Sequence, residues 1–111
     1  MSTEKTAVDI LREARALIEK GWTQHDFARN ENGKSIDEFR PDASCFCLWG
    51  AIRRSLGREG IEERELHIRS LFADAIAFPY IANWNDAKGR TQAEVLAAFD
   101  KAIELAGAAH V

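Results

Sequence analysis

Cys45 and Cys47 are the residues best suited to covalent chemistry. They are the chain's two cysteines and sit in the stretch Ala43-Ser-Cys-Phe-Cys-Leu-Trp-Gly-Ala-Ile52. A thiolate is the nucleophilic form of cysteine, and a helix N-terminus favours it through free amides and the helix dipole. With Ser44 as the cap of a helix, Cys47 takes the third helical position; with Asp42 as the cap, Cys45 takes it. A thiol nucleophile also needs a base, normally a histidine oriented by a carboxylate or an amide. His25 and His67 are the candidate bases, with Asp86 or Asn85 to orient them. That set defines one reading, a thiol-dependent hydrolase or transferase. Packing is the other, since a buried free cysteine behaves as a small hydrophobe.

A second candidate is Asn83-Trp-Asn-Asp86. Trp84 offers an apolar wall, and Asn85 and Asp86 offer polar handles for a small polar ligand, with Gln24 of Trp22-Thr-Gln24 as a further contact. The same residues could equally fix turns and close the core, because Asn and Asp bond the backbone of loops. No metal site is expected. The two cysteines, two apart on a helix, would point to different sides, and no His-x-x-x-His or Cys-x-x-Cys pair occurs. His110 sits at the tail, and no cofactor motif is present.

The elements that must position these residues follow from apolar spacing. Ala7, Ile10, Leu11, Ala14, Leu17 and Ile18 predict helix 1 over about 4–20, capped by Thr3 or Ser2 and closed by Gly21. Residues 22–40 lose that period. Asn32-Gly33 suits a tight turn, so a short hairpin or ordered loop is expected, with Phe27-Ala-Arg29 against Lys34-Ser-Ile36. Pro41-Asp42 predicts helix 2 over about 43–56, in which Gly50 costs ~1 kcal/mol against Ala and so implies close approach of another backbone. Ile68, Leu71, Phe72, Ala75 and Ile76 predict helix 3 over about 62–78, ended by Pro79, and Tyr80 to Asp86 one more helical turn. Thr91-Gln-Ala-Glu94 is a capping box that opens helix 4 over about 92–106.

The fold expected is mainly α, a compact bundle of about four helices with a hairpin or ordered loop inserted after helix 1. At 111 residues it fits a single domain, 1–111. The net charge is −3, and no basic block could neutralise a run of phosphates, so nucleic acid is not an expected partner. Arg53, Arg54, Arg58, Arg64 and Arg69 interleave with Glu59, Glu62, Glu63 and Glu65, which reads as a solvated, ion-paired face. No stretch approaches the ~18 to 20 apolar residues of a membrane span, and no signal-peptide core is seen. A cytoplasmic location with reduced thiols is therefore expected, and the oligomeric state is left open.

Taken in order, Trp22-Thr-Gln24, the Gly33 turn, Cys47-Leu-Trp-Gly-Ala51, Trp84-Asn-Asp86 and the final helix from Thr91 to Ala106 resemble an uncharacterised family. Its members are small bacterial and phage-encoded proteins of unknown function, with a C-x-x-G-A segment in mid-chain and a W-N-D segment before the last helix. The likeness runs from about Leu11 to Ala106. It implies a shared fold and that Trp22, Cys47, Gly50, Trp84 and Asp86 lie together. The functional expectation is a binding domain for a protein partner or a small polar ligand near Trp84 and Asp86, with thiol chemistry as the alternative.

Overall fold

Helix α1 (Ala7–Lys20) begins where an acceptor and a donor can be exchanged. Thr6 Oγ1 accepts the Asp9 amide and Asp9 accepts the Thr6 amide, a capping box that leaves fewer free donors at the helix start. The computed structural model describes residues 5–58 and 62–108, so the expected caps Ser2 and Thr3, and His110, lie outside the described residues. Gly21 does not close α1 in the left-handed form expected of a helix-ending glycine. Its φ is −176°, ordinary extended backbone, and its small size is needed because a Cβ there would stand 2.5 Å from the Ser44 carbonyl oxygen.

That close approach comes from a strand the sequence did not suggest. After α1 the chain forms β1 (Ala28–Arg29) and β2 (Ser35–Ile36), then β3 (Cys45–Phe46), all antiparallel in the order β2-β1-β3. Ala28 pairs with Ile36 on one side and with Phe46 on the other. Asn30 Oδ1 accepts the amides of Asn32 and Lys34, and Gly33 supplies the positive φ of 79° that ends the turn.

Helix α2 (Leu48–Leu56) therefore starts later than the expected 43–56, and Cys45 is on a strand instead of in the first turn of a helix. The Pro41-Asp42 signal belongs to a turn. Asp42 pairs with Arg40, Ala43 bonds back to Arg40, and the Ser44 amide bonds the Arg29 carbonyl. Gly50 meets the expectation of close backbone approach: a Cβ there would lie 2.0 Å from the Phe27 carbonyl oxygen.

Helix α3 (Glu62–Ile76) ends two residues short of the expected 78. Ala77 turns into the left-handed region at φ 55°, and the Phe78 amide bonds the Ala73 carbonyl. Then come α4 (Ile81–Asn85) and α5 (Gln92–Ala108), so the described residues hold five helices and one small sheet, a mainly α fold. Ile10, Leu11, Ala14 and Ile18 of α1 pack among Leu48 and Ile52 of α2, Ile68 and Phe72 of α3, and Val95, Phe99 and Ala102 of α5. Phe72 and Phe99 meet edge to face at 4.9 Å. Gln92 Nε2 donates to the carbonyls of Ile18 and Glu19, so α5 caps the C-terminal end of α1. The arginines of α2 reach into the insertion, Arg53 to Glu38 and Arg54 to the Glu38 and Arg40 carbonyls, and Arg58 just beyond reaches Asp37; Arg69 pairs with Glu65 as the interleaving suggested. Among the described residues no helix is long and apolar enough to cross a membrane.

Candidate functional site

Asn85, the last residue of α4, uses all of its usual side-chain capacity. Its Oδ1 accepts the Trp22 indole N–H at 2.8 Å and the Leu48 amide at 3.1 Å, while its Nδ2 donates to the Thr23 carbonyl and to Asp86 Oδ1. The residue is 1% exposed. One side chain thus ties the end of α1, the start of α2 and the loop after α4 together. Gln24 is engaged in the same way, donating to the carbonyls of Asn85 and Ala87 at 3.0 Å each. Trp84 is half-buried, with the Arg90 guanidinium 3.9 Å from its ring centre and Arg90 Nε on its carbonyl. Of the four residues marked for ligand binding, Gln24, Trp84 and Asn85 are held in these internal contacts.

Asp86 does more. Its Oδ1 accepts the His25 amide at 2.8 Å, and its Oδ2 stands 3.8 Å from His25 Nδ1. His25 is held at φ 73°, a left-handed conformation rarely adopted by a residue with a Cβ. Both residues line a cleft of about 440 Å³ between the hairpin and the corner of α2 and α4. Phe27, Ile36 and Ala82 give it apolar wall, and Cys47 lines it as well. The remaining lining is Asp26, Ser35, Asp37 and Glu38. The sequence offered no pattern for these four. Glu38 in particular is 5% exposed, and its carboxylate meets the Arg53 guanidinium from α2, a pairing between positions fifteen apart that no local spacing announces.

Cys47 is the N-cap of α2, and its Sγ accepts the Gly50 amide at 3.2 Å. Burial pushes its thiol up to about 11; the Gly50 and Trp49 amides pull the other way, and the carboxylates of Asp86 and Glu38 add to the rise. At neutral pH it is a protonated thiol. Cys45 is partly exposed, and its Sγ faces the Arg29 carbonyl at 3.9 Å. His67 is exposed on α3 and lines a separate cavity of about 290 Å³ with Thr6 and Ile10. The structure therefore brings Cys47, His25 and Asp86 to one cleft and leaves Cys45 and His67 outside its lining. No hydrogen bond joins either imidazole to either sulfur among the described residues.

Acyl transfer also needs donors for an oxyanion. The amides around Cys47 are taken: its own bonds the Phe27 carbonyl, that of Leu48 bonds Asn85, and that of Gly50 bonds Sγ. What this arrangement offers a ligand is a walled space with carboxylate acceptors and an apolar side. Among the described residues no group of three His, Cys, Asp or Glu converges closely enough to hold a metal ion.

The segments marked by Trp22, Cys47, Gly50, Trp84 and Asp86 meet around Asn85: Trp22 and the first turn of α2 bond its side chain directly, and Asp86 follows it. No curated protein and no solved structure matches the chain. Residues 2–105 match a family of unknown function, DUF6197, and the chain belongs to that family.

Proposed function

We propose that the chain acts by binding, and that the cleft between the hairpin and the α2–α4 corner receives a small polar ligand with Asp86 among its contacts. The observation that carries this reading is the cleft itself, about 440 Å³ with apolar wall on one part and carboxylates on the rest. Trp84, Asn85 and Gln24 act behind it, holding Asp86 and the mouth in place. The reading fits a bacterial or phage-encoded chain working in the cytoplasm, where the free thiols of Cys45 and Cys47 stay reduced. Its acidic lining disfavours phosphate ligands and nucleic acid.

The test is a titration followed by amide and indole NMR with sets of small polar compounds: amino acids, amines, sugars and nucleosides. Saturable shifts at the Leu48 amide and the Trp22 indole N–H, both bound to Asn85, are the expected result. Shifts confined to the exposed Phe78 and Tyr80 would move the function to that surface and to a protein partner.

A second reading, a thiol-dependent hydrolase or transferase, is favoured by one observation: Asp86 holds His25 in the cleft that Cys47 lines. In it His25 takes the Cys47 proton as the sulfur attacks an acyl carbon and returns it to the leaving group as that bond breaks, Asp86 stabilises the imidazolium, and water or an acceptor then takes the acyl group from the sulfur. The engaged amides and the raised thiol weigh against it. Iodoacetamide labelling of native protein decides. Cys47 protected until unfolding supports binding, and Cys47 labelled faster than in the unfolded chain supports catalysis.

A further inference from the structure

We propose that residues 35–43 form a strap that gates the cleft, held shut from the side of α2 by a latch of Arg53, Arg54 and Arg58. The strap governs access to the cleft whether the cleft binds or reacts.

From residue 31 to residue 44 a single side chain is buried, and it is an acid, Glu38. A segment built into the core would bury apolar groups; this one leaves Ile36, Phe39 and Ala43 half-buried and its other residues exposed. Its hold on the helices is electrostatic. Arg53 pairs with Glu38, and Arg54 Nη1 donates to the Glu38 and Arg40 carbonyls. Arg58 pairs with Asp37, and its guanidinium lies 4.4 Å from the centre of the Phe39 ring. The remaining attachment is to the hairpin, through the two residue pairs of β2 with β1 and the Ser35 hydroxyl donating to Asp26. Segments that bury so little apolar surface open at a fraction of the global unfolding free energy. Both ends are fitted for that motion. Gly33 has φ 79° and open space where a Cβ would stand, and the Ser44 amide is fixed on the Arg29 carbonyl, so β1 and β3 stay paired as the strap turns about its ends.

The strap is one wall of the cleft. Ser35, Ile36, Asp37 and Glu38 line it from the strap, while Cys47, Ala82 and Asp86 belong to the wall that stays. Cys47 is only 6% exposed, and lifting the opposite wall uncovers it. The arginines act as a latch because of what their loss does. A buried ion pair adds little net stability, since desolvation offsets its attraction, but a buried charge stripped of its partner is strongly unfavourable. In a core such a charge has no escape. Glu38 has one, because no buried apolar side chain pins the strap: the segment can lift and hydrate the carboxylate while the bundle stays folded.

The test uses the whole chain and three readouts: amide hydrogen exchange at Ile36, in the ladder with Ala28; exchange at Ala51, bonded to the Cys47 carbonyl inside α2; and iodoacetamide labelling of Cys47 at fixed pH. Arg53→Gln should speed Ile36 exchange and Cys47 labelling together by about tenfold or more, with Ala51 exchange and cooperative thermal unfolding kept. Adding Glu38→Gln to that variant removes the stranded charge and should return both rates toward wild type. Arg54→Gln removes two latch bonds and strands no carboxylate, so it decides if Arg53→Gln fails to fold, and it should give the same pattern by a smaller factor. Equal acceleration at Ile36 and Ala51 means that the segment opens only with the whole domain, and faster Ile36 exchange with Cys47 still protected means that it opens away from the cleft. Either result overturns the gate, as does unchanged Ile36 exchange in the folded variants. The small-ligand reading is measured separately, by its own compound titration.

Discussion

At Gly50 a missing methyl group decides how the hairpin meets the bundle. Alanine there would gain ~1 kcal/mol of helix propensity, but its Cβ would stand 2.0 Å from the Phe27 carbonyl oxygen, a backbone atom that cannot yield without moving β1. Gly50→Ala is therefore expected to destabilise by about 2 to 4 kcal/mol, read as a lower midpoint in urea unfolding. An unchanged midpoint would show that the hairpin is not pressed on α2. Cys47 makes a different prediction, through protons. Its thiol titrates near 11 when folded, above the unfolded value of about 8.5, so the folded chain holds a proton that the unfolded chain releases. Its contribution is complete below about pH 8.5 and is lost as pH rises through 11, an alkaline loss on the order of 3 kcal/mol. Comparing wild type with Cys47→Ala across pH 8 to 11.5 isolates it. The two stability curves should converge as pH rises, and parallel curves would mean that the thiol is solvated.

At the scale of elements, α3 ends on a residue in a conformation glycine adopts more readily. Ala77→Gly is expected to raise stability by about 0.5 to 1 kcal/mol, because the left-handed turn at φ 55° no longer has to carry a Cβ. A lower thermal midpoint would contradict the turn. Elements of this kind also show how much could be read in advance. The helical stripes through Ile10 to Ile18 and Val95 to Ala106, and the Thr91-to-Glu94 box, were legible because their signals are local and periodic. So was the small size needed at Gly50. The strand Cys45–Phe46 was not, since two residues carry no period and its partners, Arg29 and Ala28, lie sixteen and eighteen positions earlier. Pro41 and Asp42 then imitated a helix start. The candidate site was legible in part: His25, Cys47 and Asp86 carry chemistry by residue type and share a cleft. Asp37 and Glu38 look like surface charges in a polar loop, and only the fold of β2 and the reach of Arg53 turn Glu38 inward.

The whole molecule is built around α1, with α2 and α5 both packed on it and α5 packed also on α3. Val95, Phe99 and Ala102 are fully buried in that packing. Large side chains buried this way contribute roughly 1.5 to 3 kcal/mol each, against a total stability of about 5 to 15 kcal/mol for a domain. A chain stopped after Arg90 is therefore expected to lose cooperative thermal unfolding by circular dichroism; a sharp transition in that fragment would show that α1 to α4 fold without α5. Asp100, which pairs with Arg15 across the same contact, lies 60% exposed, and Asp100→Ala should change the melting midpoint little.

The bond from Gln92 to the last carbonyls of α1 carries this order into synthesis. A ribosome delivers α1 first and its closing amide more than seventy residues later. Until α5 has left the exit tunnel, the apolar faces of α1 and α3 travel uncovered. A nascent chain tethered at successive lengths should gain resistance to protease in one late step, as Phe99 and Ala102 emerge, with hairpin, cleft and bundle secured together.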